Sequence, residues 1–278
     1  MLLELLHKAI FALISGFSEL IFASTTAHQL LYRTVTGYDL ADSALSLGIH
    51  FGCLAALLMN CNQRIKHLRN EKRLERPAKR RRGRQPDIAS LMDVRILNTA
   101  VVPLLLGFLL YGKAAEWIAS PFRMAMVLLV NGVVLFFPRL LPSGNKNGRS
   151  FTQLDGLLMG LGGALGVIPG FSRIGCTYSI GVLRGAGKSY ALELSLLLNI
   201  PALAAMLCLD IYGCTVAAQP ISGLQVLGAL VAALTAFAGA HMAVRFVRYI
   251  CSRSSEMGFA YYSWGVAMFL LLIYLFVS

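Results

Sequence analysis

Apolar residues run along this chain in stretches too long and too continuous to be the buried stripe of a soluble helix. Near Ser43–Asn62, Arg95–Gly112, Phe122–Phe137, Ala191–Tyr212, Leu224–Val247 and Met257–Phe276 they fill windows of the length that crosses a bilayer, about 17 to 25 residues. The pattern predicts six spanning helices. Two further apolar regions, Leu5–Leu31 and Leu154–Leu183, are interrupted in mid-run by Gly, Ser, Thr and charge. Unbroken spanning helices are not written that way, because freed backbone groups at membrane depth must find partners inside the protein.

Composition narrows the class further. The 278 residues are 57% hydrophobic and only 14% charged, roughly half the charge of an average soluble domain, which excludes a soluble globular fold and disorder alike. The 26 glycines follow no period, and the six cysteines never form a C-x-x-C pair, so they read as packing residues rather than metal ligands or bridges. At the N-terminus Glu4 precedes the apolar run and no basic stretch leads it, so a cleaved signal peptide is not expected.

Charge orients the spans. Eleven Lys and Arg lie between Arg64 and Arg84 against two acids, Glu71 and Glu75, a local balance of +9 within a total of +12. A basic run between two apolar stretches reads as a cytoplasmic, solvated loop (63–94) facing anionic lipid, and nucleic acid is not expected as a partner. Alternating from this anchor places Lys113–Pro121 and Gly213–Ser222 outside, and Arg139–Arg149 and Arg248–Glu256 inside. Both ends of the second interrupted region then fall inside, and both ends of the first outside. Each is expected to be a re-entrant helical hairpin, 5–37 and 154–187, entering from opposite faces. The chain becomes an all-α inverted repeat of hairpin plus three spans, halves 1–141 and 150–278, divided near Pro142–Arg149. Such repeats recur where broken helices build a site at the midplane. Gly16-Phe17-Ser18-Glu19 and Gly170-Phe171-Ser172-Arg173 are a faint echo between the halves.

The chemistry concentrates in the hairpins. The first holds Glu19, then Ser24, Thr25 and Thr26, then His28; the second sets Arg173 between Ser172 and Thr177 in a Gly-rich break that includes Gly170 and Gly175. Ionisable groups at membrane depth are expensive and mark function by default. If the tips meet, Glu19, His28 and Arg173 share a pocket. Such a pocket suits phosphate, since guanidinium offers a planar fork and backbone N–H groups at helix starts add donors. The hydroxyls and His28 are candidates for nucleophile and general acid or base. Plainer roles stand beside these. Glu19 and Arg173 can be a structural pair, the hydroxyls can bond backbone carbonyls, and His28 can be a satisfied interior histidine. His50 is a secondary candidate; Glu193 and Asp210 are expected at the ends of their span, Glu193 nearer the pocket. Asn199-Ile200-Pro201 suggests a kink with a rescued backbone group.

These two stretches resemble the BacA/UppP family of bacterial undecaprenyl-diphosphate phosphatases. The family's motifs have the forms E-G-x-x-E-F-x-P-V-S-S-x-G-H and P-G-x-S-R-S-G-x-T; here they stand as SGFSELIFASTTAH, Ser15 to His28, and PGFSRIGCT, Pro169 to Thr177. Ala191–Tyr212 is similar to the span after the second motif. The resemblance implies hydrolysis of a C55 polyprenyl diphosphate to the monophosphate at the outer face of the bacterial inner membrane, recycling the cell-wall lipid carrier and conferring tolerance of bacitracin. It implies catalytic roles for Glu19, His28, Ser24, Thr25 and Arg173, and substrate contacts from Ser172, Arg173, Thr177, Gly170 and Gly175. It also implies a divalent cation, Mg2+ or Ca2+, with Glu19 as its ligand; a homodimer is left open. Four departures stand out: Ser15 replaces the first carboxylate, Phe22 the proline, Ala27 the glycine before the histidine, and Ile174 the serine after the arginine. Losing a carboxylate weakens a hard-cation site. A polyprenyl-phosphate transporter or flippase, or an inactive binding paralogue, is the alternative.

The orientation has a direct test. With native cysteines removed, a cysteine near Arg80 should resist a membrane-impermeant thiol reagent added to intact cells, and one within Lys113–Pro121 should label. Labelling near Arg80 in sealed cells reverses the topology.

Overall fold

The computed structural model describes residues 2–40, 42–75, 85–118, 120–140, 144–216 and 222–277. Among them the protein is all-α. Helices α1 (Leu2–Glu19) and α2 (Thr25–Thr36) form a first pair, followed by α3 (Ser43–Leu74), α4 (Ile88–Gly107), short α5 (Tyr111–Trp117) and α6 (Pro121–Phe136). A second pair, α7 (Gln153–Leu165) and α8 (Arg173–Leu183), precedes α9 (Lys188–Val216), α10 (Gly223–Ser252) and α11 (Gly258–Val277). Six of the described segments, built on α3, α4 with α5, α6, α9, α10 and α11, are long and apolar enough to cross a membrane. Leucines and phenylalanines such as Leu109, Leu234, Leu275 and Phe276 point outward. In water this would be a liability; in lipid it is the ordinary surface of a multi-pass membrane protein.

The two interrupted regions fold back on themselves. In the first pair His7 Nδ1 meets the Tyr32 hydroxyl at 2.7 Å, and in the second Arg184 Nε donates to Asp155 at 2.7 Å, so each pair is closed at its open end. The breaks are set by local chemistry. Ser24 caps α2 by accepting from the Ala27 N–H, and Ser172 caps α8 by accepting from the Gly175 N–H at 3.1 Å, each stopping the chain from continuing as one helix. Gly170, at φ 101°, turns the second break, a conformation that glycine adopts without strain.

Helix boundaries differ from the hydropathy windows at the polar ends. The expected loop 63–94 is helical as far as Leu74 and again from Ile88, while Arg76–Arg84 lie outside the described residues. The helix continues because its first charges are paired: Arg64 bonds Asp93 and lies 3.1 Å from Glu193, and Tyr190 donates to Asp93 at 2.6 Å. Where α4 begins, the Ser90 hydroxyl bonded to Asp87 holds that capping carboxyl below its ordinary pKa. Helix α9 runs from Lys188 to Val216 through Pro201. The buried Asn199 amide beside it makes no hydrogen bond among the described residues. The GFS echo also lands on unmatched positions, since Glu19 ends α1 whereas Arg173 begins α8.

Small residues decide the packing. α1 and α3 both lie against α10, and a Cβ added at Gly16, Gly48 or Gly52 would overlap the carbonyls of Ala236, Ala229 and Ala233 respectively. α7 lies against α4 in the same manner, through Gly156 against Ile96 and Gly160 against Ala100. Without a hydrophobic drive between helices in lipid, close backbone approach of this kind supplies the van der Waals contact that holds them. Gly48→Val is therefore expected to cost about 2–3 kcal/mol, because the obstructing atom is backbone that cannot rotate away. Gly265→Ala, with open space around it, should be neutral or slightly stabilising. Thermal unfolding in detergent checks both.

Candidate active site

The tips of the two helix pairs meet. Gly170 N–H donates to Thr26 Oγ1 at 3.0 Å, and Ser172 Oγ donates to the Ile21 carbonyl at 3.1 Å. Asn131 of α6 accepts from the Ser172 N–H at 3.0 Å and donates to Ser263 of α11 at 3.1 Å, tying the second tip to the long helices. Where the tips cross, the Arg173 guanidinium bonds Glu19 directly. Both side chains are about nine-tenths buried. The other carboxylate oxygen of Glu19 accepts from the Thr25 hydroxyl at 2.8 Å.

This trio forms one end of a polar cavity of about 490 Å³. Its walls carry Thr26, Gln29 and Arg33 from α2, and Ser43, Ser46 and His50 from α3. Each set has the 3-and-4 spacing that places side chains on one helix face. Asp210 of α9 holds His50 Nδ1 at 2.6 Å.

Not every expected residue faces this cavity. His28 does not: its Nδ1 bonds the Ser24 carbonyl at 2.6 Å and its Nε2 meets the Tyr262 hydroxyl at 2.5 Å. Its ring borders a second, apolar cavity of about 590 Å³ lined by Phe17, Ile21, Phe246 and Phe259. His28 stands two residues on from Thr26, about 200° around α2 at 3.6 residues per turn, so the shared pocket expected for Glu19, His28 and Arg173 holds only the first and last. Ser24 spends its hydroxyl on the helix cap. Thr177 donates to the Arg173 and Ile174 carbonyls at 2.9 and 3.0 Å. Ser172 is buried in the tip junction. At Gly175 a Cβ would press on Leu135 and Ser172.

Of the acids expected at the ends of α9, Asp210 reaches the cavity and Glu193 pairs with Arg64 instead. Arg33, Gln29, Tyr111 and Asn131 were not among the expected residues. For Arg33 and Gln29 the signal was present in the register Thr26, Gln29, Arg33; for Asn131, across the fold from its partner Ser172, none was. The buried Ser15 accepts from Gln29 Nε2 at 3.1 Å.

A divalent cation does not fit the donors as they stand. Both oxygens of Glu19 are engaged, Ser15 offers no charge, and no group of three or more His, Cys, Asp or Glu gathers among the described residues.

Fold and site together define a multi-pass helical membrane protein with a polar chamber ending in a carboxylate–guanidinium pair. A family model described as "Bacitracin resistance protein BacA" matches residues 8–269, and the chain belongs to that family. Relatives named undecaprenyl-diphosphatase align over much of its length. The one from Carboxydothermus hydrogenoformans is 24% identical over 264 residues, 95% of this chain and 95% of its own. The one from Saccharophagus degradans is 31% identical, covering 72% and 73%. The one from Thioalkalivibrio sulfidiphilus is 27% identical, covering 98% and 100%.

Removing one member of a buried ion pair strands the other. Glu19→Gln should lower unfolding stability by about 3–5 kcal/mol, and Glu19→Gln with Arg173→Met should recover much of it. A double variant no more stable than Glu19→Gln would show that the pair does not hold the tips together.

Proposed function

We propose that this chain hydrolyses a polyprenyl diphosphate, of the C55 undecaprenyl class, to the monophosphate and inorganic phosphate, and so recycles a lipid carrier for cell-wall synthesis. The observation that carries the reading is the Glu19–Arg173 pair at the crossing of the tips, open to a polar cavity, together with the names of the relatives. We place the cavity on the outer side of a bacterial inner membrane. It lies along the start of α3, whose other end carries the basic residues Arg64 to Arg73, and basic ends stay inside. In this reading the two pairs are re-entrant from opposite faces, and halves 1–141 and 150–278 are inverted repeats. The reciprocal packing of α1 on α10 and α7 on α4 supports it.

The chemistry follows from the pair. A terminal phosphate entering the cavity competes with Glu19 for the Arg173 guanidinium, whose bidentate fork matches two phosphate oxygens. Glu19, released but still held by Thr25, takes the proton from the water that attacks the terminal phosphorus. The bond from that phosphorus to the bridging oxygen breaks, and the lipid monophosphate leaves with the electron pair. Cation assistance belongs to the proposal only through Ser15, where a carboxylate would sit one turn from Glu19 on α1.

A lipid carrier is the second reading, favoured by the second cavity. α3 and α10 run parallel, with Gly48 by Ala229 and Gly52 by Ala233. The polar cavity lies along 43–50 of α3, and the apolar one along 239–250 of α10. The two therefore sit toward opposite ends, an arrangement suited to alternating access.

Phosphate release from undecaprenyl diphosphate by purified protein, with and without Mg2+ or Ca2+, separates the readings. A phosphatase releases phosphate, loses that activity in Glu19→Gln, and gains metal-dependent release in Ser15→Glu. Arg173→Lys should cost about 1–3 kcal/mol in turnover or binding. Background release from wild type and Ser15→Glu alike, in protein that binds the lipid through Arg173, establishes the carrier instead.

A further inference from the structure

Arg33 is a cation in the polar cavity that no carboxylate pairs with among the described residues. Its Nε is buried without a hydrogen-bond partner, and its guanidinium carbon lies 5.7 Å from the centre of the Phe11 ring. This differs from the other cavity arginine, Arg173, which Glu19 already holds. Helix α10 serves as a ruler for what lies beside Arg33. Gly16 of α1 abuts Ala236 and the Lys8 side chain reaches Gly228, so Phe11 falls near the level of residue 231; Gly48 and Gly52 abut Ala229 and Ala233, which puts His50 at that level too. Arg33 over Phe11 and His50 on α3 thus line the cavity at one depth. Glu19 is eight residues further along α1, about 12 Å at the helical rise of about 1.5 Å per residue.

His50 is prepared for the same ligand. Asp210 fixes its Nδ1, which leaves Nε2 for the cavity, as a carboxylate orients an imidazole for its working nitrogen. Ser43 and Ser46 add hydroxyls to the wall. The remaining acid there, Asp42, is occupied in capping α3, accepting from Ala44 N–H at 3.0 Å. We infer that Arg33 and His50, with Asp210 behind it, form a second phosphate station, distinct from the Glu19–Arg173 pair and nearer the start of α3. It is too far from the pair for both to grip one phosphoryl group, so it takes a phosphate in transit: inorganic phosphate after cleavage, or a lipid phosphate headgroup. The source of that phosphate rests on the proposed function; the station itself does not.

Binding without turnover tests it. Purified protein in lipid nanodiscs is titrated with inorganic phosphate and, separately, with farnesyl monophosphate, by calorimetry. Wild type should bind at least one of them, and Arg33→Gln should weaken that binding about tenfold, the scale of one lost charge-assisted bond. His50→Phe should weaken it too, and Arg33→Lys should retain part of it. Loss seen with inorganic phosphate assigns the station to released product; loss seen only with farnesyl monophosphate assigns it to the headgroup. Arg33 has no ion pair to break, so melting temperatures should be unchanged, and Arg33→Lys supplies the comparison if Arg33→Gln fails to fold. Equal binding by wild type and Arg33→Gln, or no binding of either probe by wild type, overturns the station even where hydrolysis is intact. Absence of hydrolysis with Arg33-dependent binding overturns the phosphatase reading alone.

Discussion

Two chain breaks inside an apolar molecule leave backbone groups and charges that must find most of their partners within the protein, and the Glu19–Arg173 bond is where the protein meets that constraint. Leaving a buried carboxylate or guanidinium alone costs several kcal/mol. Together, on opposite tips, they neutralise each other and fix how the tips cross. The neighbouring bonds complete the junction, with Thr26 taking the Gly170 N–H, Ile21 the Ser172 hydroxyl, and Asn131 the Ser172 N–H. The same pair also closes one side of the polar cavity, so the contact that joins the tips is at the same time part of the chamber wall.

The crossing can be held only because the surrounding helices come very close. Glycine and alanine at the α1–α10, α3–α10 and α4–α7 contacts bring backbones together, and the tips inherit their positions from those contacts. Packing, capping and electrostatics therefore act on one another. Ser24 and Ser172 begin the second helix of each pair, the glycine contacts place the tips, and the ion pair joins them. Ser172, Thr177 and Gly175 build the platform on which Arg173 stands.

The cavity shows how this chain differs from the motif it resembles. Ser15 stands where that motif has a carboxylate, and Gln29 bonds it. Charge enters the chamber elsewhere, through Arg33 on α2 and the His50–Asp210 pair between α3 and α9. Polar groups thus line the chamber beyond the ion pair as well as beside it.

Much of this was legible in the sequence, since hydropathy over some twenty residues depends on the solvent and not on the fold. The six spans and the two interrupted regions follow from length and interruption, and the need of Glu19 and Arg173 for a partner follows from the expense of charge in an apolar surrounding. Helix ends were less legible: Arg64 to Leu74 reads as loop by charge, yet Asp93, itself bonded by Tyr190, and Glu193, all distant in the chain, pair its first arginine and keep it helical. Direction around a helix was illegible wherever it depended on a partner. His28 lies near Glu19 in sequence and turns to Tyr262, 234 positions away, while His50 finds Asp210 across 160. Composition and spacing determined which residues had to be reconciled with a membrane; only the packing of long helices decided which of them share a cavity, because that choice is made by contacts between segments and not within them.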